Sequence, residues 1–225
     1  MSASPATAAL PLHSTAVRLS DPALMSRLLY SNPVCLLTTG GAAAEEQCNV
    51  MVISWLTPVD NYGHIFLSMN VKRFTSQLLS HDGAVFVLNV PVAGMEGLIT
   101  AVGKCSGRDT DKFSALGINT CPPGWVLEAG GDSATETSVQ PVALTDCVAH
   151  VVCVVNQMQR RDPSDDGSGK RKKKDDHYYI NATITTAYVQ ERYWDGKCFA
   201  AISDSDPATL TFLGSGNFGS TRRCS

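Results

Sequence analysis

Within SMNVKRFTSQ, Ser68, Asn70, Lys72, Arg73 and Thr75 bring two hydroxyls, a side-chain amide and two cations close together in the chain. Ser68 and Asn70 end an apolar alternation, HIFLSMN, that reads as a strand; Lys72, Arg73 and Thr75 open KRFTSQLL, which has helical spacing. Unpaired backbone N–H groups at a helix start, next to fixed cations and a hydroxyl, suit a phosphate dianion. The same residues also describe a solvated helix start with its cap. Taken alone, the segment supports either reading.

Other motifs carry less. GSGNFG matches G-x-G-x-x-G at Gly214, Gly216 and Gly219. A dinucleotide turn of that kind opens a helix and needs a returning strand and an acidic residue about 20 positions on. Only STRRCS follows here, so the expectation is a glycine-rich terminal turn. The eight cysteines (35, 48, 105, 121, 147, 153, 198 and 224) form no C-x-x-C pair and no regular grouping with His, which argues against zinc and a disulfide framework. Neither Cys48 nor Cys105 has an adjacent His to make it a thiolate nucleophile. His64, mid-strand, and His150, in TDCVAHVVCVV, are expected to be structural, and no metal is expected.

The elements that must position these residues belong to a globular chain. Of 225 residues, 44% are hydrophobic and 17% charged, and the net charge is −3, a balance that points away from nucleic acid. No apolar run is long enough to span a membrane. Residues 1–20 read as a flexible arm and 21–225 as one domain, with a polar insertion at 160–176 in which KRKKK is offset by neighbouring Asp. Free cysteines inside apolar runs favour a reducing compartment and a cytoplasmic location; the Ser/Ala-rich arm leaves an organellar alternative.

Asp21-Pro22 starts a short helix. PVCLLTTG, CNVMVISWLTPVD and DNYGHIFLSMN read as three strands of an antiparallel meander over 34–69. KRFTSQLLSHDG gives a turn or two of helix ended at Gly83, AVFVLNVPV a strand stopped by Pro91, and GMEGLITAVGKCSGRDTDKFSALGI two short helices. CPPGWVLEAGGDSATETSVQP is a surface loop, and VALTDCVAHVVCVVNQM and HYYINATITTAYVQERYWDG are two long strands. Six strands or more with short helices attached predict an antiparallel β-barrel or sandwich.

CNVMVISWLTPV, SMNVKRFT, FVLNVP, SGRDTDKFSALGI and DHYYINATITTAYVQE, in this order and spacing, resemble the flavin reductase family with the FMN-binding split barrel, particularly its flavoredoxin-like branch. The resemblance runs over residues 33–190 and is most specific at RDTDKFSALGI. It implies a six-stranded antiparallel Greek-key barrel with short peripheral helices that forms a homodimer and binds FMN near the dimer interface. It also implies that Ser68, Asn70, Arg73 and Thr75 hold the FMN phosphate, with Lys72 and Met69 alongside. Asn49, Val50, Met51, Val52 and Ser54 would line the isoalloxazine, and Asn89, Cys105, Ser106 and Gly107 would make polar contacts to flavin or nicotinamide. His177 stands where the family has a His before its last long strand, although Asn181 replaces the usual Gly and the basic insertion precedes it. Trp55 is expected to pack, with shielding of the flavin as the alternative, and LTFLGSGNFGS resembles the branch's closing segment, with Phe212 and Phe218 as anchors.

The activity implied is transfer of hydride from NADH or NADPH to FMN and onward passage of electrons to a second flavin, a partner protein or a small acceptor. An FMN-binding electron carrier and a flavin-free interaction module are the alternatives. A role in catalysis falls to the cofactor more than to any side chain, so no acid or base is assigned beyond His177.

Overall fold

The computed structural model describes residues 17, 19, 21–40, 48–125, 141–161 and 176–223. Most of the expected arm, the expected loop over 126–140 and nearly all of the polar insertion lie outside the described residues. Residues 1–30 and 31–225 form two compact units. In the first, α1 (Pro22–Met25) is followed by a 3-10 turn, Ser26–Leu29. Leu24 and Met25 both donate their N–H to Asp21 O, so the predicted Asp-Pro start is used.

The second unit is built on β1 (Asn32–Pro33), β2 (Cys35–Thr39), β3 (Asn49–Ile53), β4 (Leu56–Pro58), β5 (His64–Asn70) and β6 (Val85–Val90). After them come β7 (Thr120–Cys121), β8 (Ala143–Leu144), β9 (Ala149–Arg160), β10 (His177–Val189), β11 (Thr209–Gly214) and β12 (Asn217–Thr221). The helices are α2 (Phe74–Leu78), α3 (Glu96–Lys104) and α4 (Lys112–Leu116). Seven strands form one antiparallel sheet in the order β3-β2-β6-β9-β10-β5-β4.

β3 and β4 stand at opposite ends of that order, yet only Ser54 and Trp55 separate them in the chain. Two residues span too little distance to cross a flat sheet, so the sheet curls until its edges meet on this one segment. The expected strand over 48–60 is therefore broken at Ser54-Trp55 and serves both edges, which gives seven strands where six are expected. The expected meander over 34–69 differs for the same reason: β5 pairs with β4 and β10, and β3 pairs with β2.

Alternation divides the strands between two apolar clusters. Leu37, Met51, Ile53, Leu67, Met69, Phe86 and Ile180 fill the barrel. Leu36, Val50, Ile99, Val102, Leu144 and Leu210 pack outside it, beneath α3. Neighbours in β3 thus face opposite ways, Met51 inward and Val50 outward. β11 and β12 form a hairpin that pairs with β1, turning through Gly214, Ser215 and Gly216 at φ +98°, +51° and +77°. The dinucleotide-like glycines lie in and beside this turn, and Phe212 and Phe218 pack at 5.9 Å across the hairpin.

Candidate functional site

A cavity of about 370 Å³ opens between β3 from its first residue, the first turn of α2 and the segment that links α3 to α4. Asn49 begins β3 with its side chain almost wholly buried, and its Nδ2 donates to Thr75 Oγ1 at 2.8 Å. The turn before α2 is shaped by its own polar groups. Lys72 N–H donates to Asn70 Oδ1 (3.0 Å), Arg73 N–H to Asn70 O (3.0 Å), and Ser76 Oγ to Arg73 O (2.7 Å). Arg73 sits at the cap position in extended conformation. Ser76 N–H already closes the first turn on Arg73 O at 3.1 Å.

The opposite wall is Cys105, Ser106 and Gly107, continuing into Arg108 and Asp109. Gly107 is required there: a Cβ at this position would lie 2.1 Å from Asn49 Oδ1 and 3.0 Å from Phe74 Cδ1. Arg108 crosses between the walls, donating from Nη1 to Lys72 O at 3.0 Å, with its guanidinium 5.4 Å from the Phe74 ring centroid. Lys112, the first residue of α4, points inward. It is 5% exposed and donates from Nζ to Val50 O (2.7 Å) and Val102 O (3.3 Å). Burial pushes its ammonium below the usual lysine value.

The lining carries Lys72, Arg73, Lys104, Arg108 and Lys112 against a single carboxylate, Asp109. Among the described residues none of these five cations forms an ion pair. Such a surface is suited to an anionic ligand.

Of the residues singled out in the sequence, Asn49, Met51, Val52, Lys72, Arg73, Thr75, Cys105, Ser106 and Gly107 line this cavity. Val50 and Met69 are buried behind it in the two apolar clusters. Asn70 shapes the turn, and Ser54 lies at the break between β3 and β4. Asn89 is fully buried: its Nδ2 donates to Leu36 O and Thr38 Oγ1, and its Oδ1 accepts from Leu144 N–H. His177 is outside the lining, with its ring on Trp55 (centroids 5.0 Å apart) and Nδ1 3.1 Å from Ser68 Oγ.

Lys112 and Arg108 were not anticipated. Both occur in SGRDTDKF, and their positions depend on how the linking segment folds back over β3. His64 pairs with Asp60, and the seven described cysteines are free. Among the described residues no cluster has the makings of a metal site, and no helix is long and apolar enough to cross a membrane.

Residues 25–192 match the model of the flavin reductase like domain. The chain belongs to this family. Its fold is that of solved members of the group. Flavoredoxin from Methanosarcina acetivorans superposes with a TM-score of 0.60 at 19% identity, over 86% of this chain and 87% of the other. The FMN-binding protein from Thermus thermophilus with bound 1-cyclohex-2-enone gives 0.62 at 18%, over 91% and 94%. The NADH:FAD oxidoreductase SgcE6 of Streptomyces globisporus gives 0.60 at 16%, over 93% and 100%. Among curated proteins, the uncharacterized protein YddH of Escherichia coli (strain K12) is 32% identical over 94 residues. That match takes in 41% of this chain and about half, 49%, of the length of YddH. The family's mainly β split barrel is the fold described above.

Proposed function

We propose that the cavity binds FMN and that the protein is a flavin reductase, taking hydride from NADH or NADPH and passing electrons to a further acceptor. The observation that carries this reading is the cationic lining, without an ion pair among the described residues, around the buried Asn49–Thr75 hydrogen bond. The residues fit the ligand. The volume lies in the range of small-molecule sites, one end offers fixed charge, and Met51 and Val52 give the other an apolar wall.

Thr75 Oγ1 accepts from Asn49, so its own proton is left to donate to a phosphate oxygen. Arg73 and Arg108 bring guanidinium forks to the same end, and Arg108 is already oriented by Lys72 O. Lys112 spends two protons on Val50 O and Val102 O and keeps one for a ligand atom. Gly107 lets the opposite backbone come close enough to offer its polar groups. FMN, when bound, supplies the two-electron centre that these side chains lack. The protein's part is to hold the ring, fix the anion and limit water.

Val50, Ser54, Met69, Asn70 and Asn89 support the walls on this reading. The homodimer, the domain limits of 21–225 behind an arm at 1–20, the polar insertion at 160–176 and a cytoplasmic location belong to the same proposal. An FMN-binding electron carrier is the second reading, favoured by the position of His177 outside the cavity lining. Titration with FMN, followed by anaerobic addition of NADH and of NADPH, tests the reductase and carrier readings. Uptake of FMN and bleaching by either nucleotide is expected. Uptake without bleaching selects the carrier; failure to take up FMN overturns both readings and leaves a flavin-free module.

A further inference from the structure

His150 anchors a polar chain on the outside of the barrel, none of whose members lines the candidate flavin cavity. The imidazole is fully buried. Its Nε2 lies 2.9 Å from Leu144 O, and Gly124 N–H donates to its Nδ1 at 3.1 Å. A carbonyl only accepts and an amide N–H only donates. These two bonds therefore fix the neutral tautomer, with the proton on Nε2 and a bare Nδ1.

Pro122–Trp125 is a turn closed by Trp125 N–H to Pro122 O at 3.2 Å. Gly124 and Trp125 both have left-handed backbone, at φ +94° and +62°. That conformation is unfavourable for a tryptophan, so contacts and not local preference hold it. Those contacts are the Gly124–His150 bond, the Trp125 ring 3.9 Å from the His150 ring centroid, and Trp125 Nε1–H to Thr145 O at 3.0 Å. Two of these depend on His150, and the Trp125 N–H is also turned toward the Cys121 side chain.

We propose that His150 is a proton-operated latch for the Pro122–Trp125 turn: when Nδ1 takes a proton from solvent, its new N–H opposes Gly124 N–H and the turn lets go. Burial holds the imidazole below its usual value, which keeps the latch closed at neutral pH. The direction follows from linkage. The neutral form is the folded one, so the closed turn is fully stabilised above the ordinary histidine value and loses that support as pH falls through the lower folded value. The titratable groups on the elements packed around the ring are Cys121, Asp146, Cys147 and Tyr188. Burial raises the two thiols, so they stay neutral while the latch operates, and among the described residues on these elements Asp146 is the one carboxylate. The turn leads directly from β7, and Thr120 and Val142 line a second cavity of about 610 Å³ beside the first. Release of the turn loosens that wall.

The test is amide hydrogen exchange of the full chain at about pH 7.5 and about pH 5. Gly124 is read against β6 amides to remove the intrinsic pH dependence. In the wild type Gly124 should lose at least about tenfold in relative protection at the lower pH, while His150→Gln should give a ratio independent of pH. An unchanged wild-type ratio, or the same loss in His150→Gln, overturns the latch. If His150→Gln does not fold, the wild type decides by NMR. His150 ring nitrogens and the Gly124 amide should titrate with one midpoint, and separate midpoints overturn it.

Discussion

At Gly107 one methyl group decides whether the cavity keeps its shape. The Cβ of an alanine there would overlap Asn49 Oδ1 at 2.1 Å, and Asn49 cannot swing away without giving up Thr75. Gly107→Ala should weaken FMN binding at least tenfold, about 1.4 kcal/mol, with an unchanged circular dichroism spectrum; wild-type affinity would show that the two walls do not act together. Asn49 itself is a stability residue as well as a site residue. Asn49→Ala leaves the buried Thr75 hydroxyl without its donor, and unfolding in urea should show a loss of about 1–3 kcal/mol. The anion end is separable from the ring end. Arg73→Ala combined with Thr75→Ala should release FMN while riboflavin, which has no phosphate, binds as before. Equal losses for both ligands would move the phosphate elsewhere.

The helix α4 shows how an element aims a side chain. Asp111 caps it, accepting from Phe113 N–H (3.0 Å) and Ser114 N–H (3.4 Å), and Gly117 ends it at φ +63°. These hydrogen bonds hold the Asp111 carboxyl below its usual range, the Ser114 hydroxyl contributing most. Lys112 is the next residue, so the cap also fixes where its stem enters the cavity. Asp111→Ala should lower both the melting temperature and the FMN affinity, whereas Asp111→Asn, which can still cap, should restore most of each; loss of stability alone would separate the cap from the site. This helix was legible in DKFSALG because capping and termination are local chemistry. The burial of Lys112 was not, because a lysine at a helix start is ordinarily solvated and only the return of the chain over β3 places it under Val50. The break at Ser54-Trp55 was hidden for a similar reason. CNVMVISWLTP has strand character throughout, and only barrel closure divides it. Asn89 and His177 were expected at the flavin through resemblance. The structure spends the Asn89 amide inside the sheet, and its β10 pairing directs His177 toward Trp55 and Ser68.

Over the whole molecule the charge is −3, while the cavity lining holds five cations and one carboxylate. The positive groups thus outnumber the one carboxylate beside them, and among the described residues none of the five is ion-paired; like charges held close oppose folding. A bound phosphate relieves that repulsion and adds binding energy to the folded state alone. By mass action, free FMN at a hundredfold over its Kd should stabilise the fold by about 2.7 kcal/mol, which for a domain of this size is a rise of roughly 5–10 °C in melting temperature. Because the cavity is open to solvent, its charges are screened, and at constant FMN the rise should shrink as salt is raised from about 0.05 M to about 0.5 M. Riboflavin should give a smaller rise with little response to salt. Thermal melts with each ligand at both ionic strengths separate these contributions. An FMN shift that ignores salt would mean that the cationic lining does not hold the phosphate, and no shift with either flavin would remove flavin binding from this barrel.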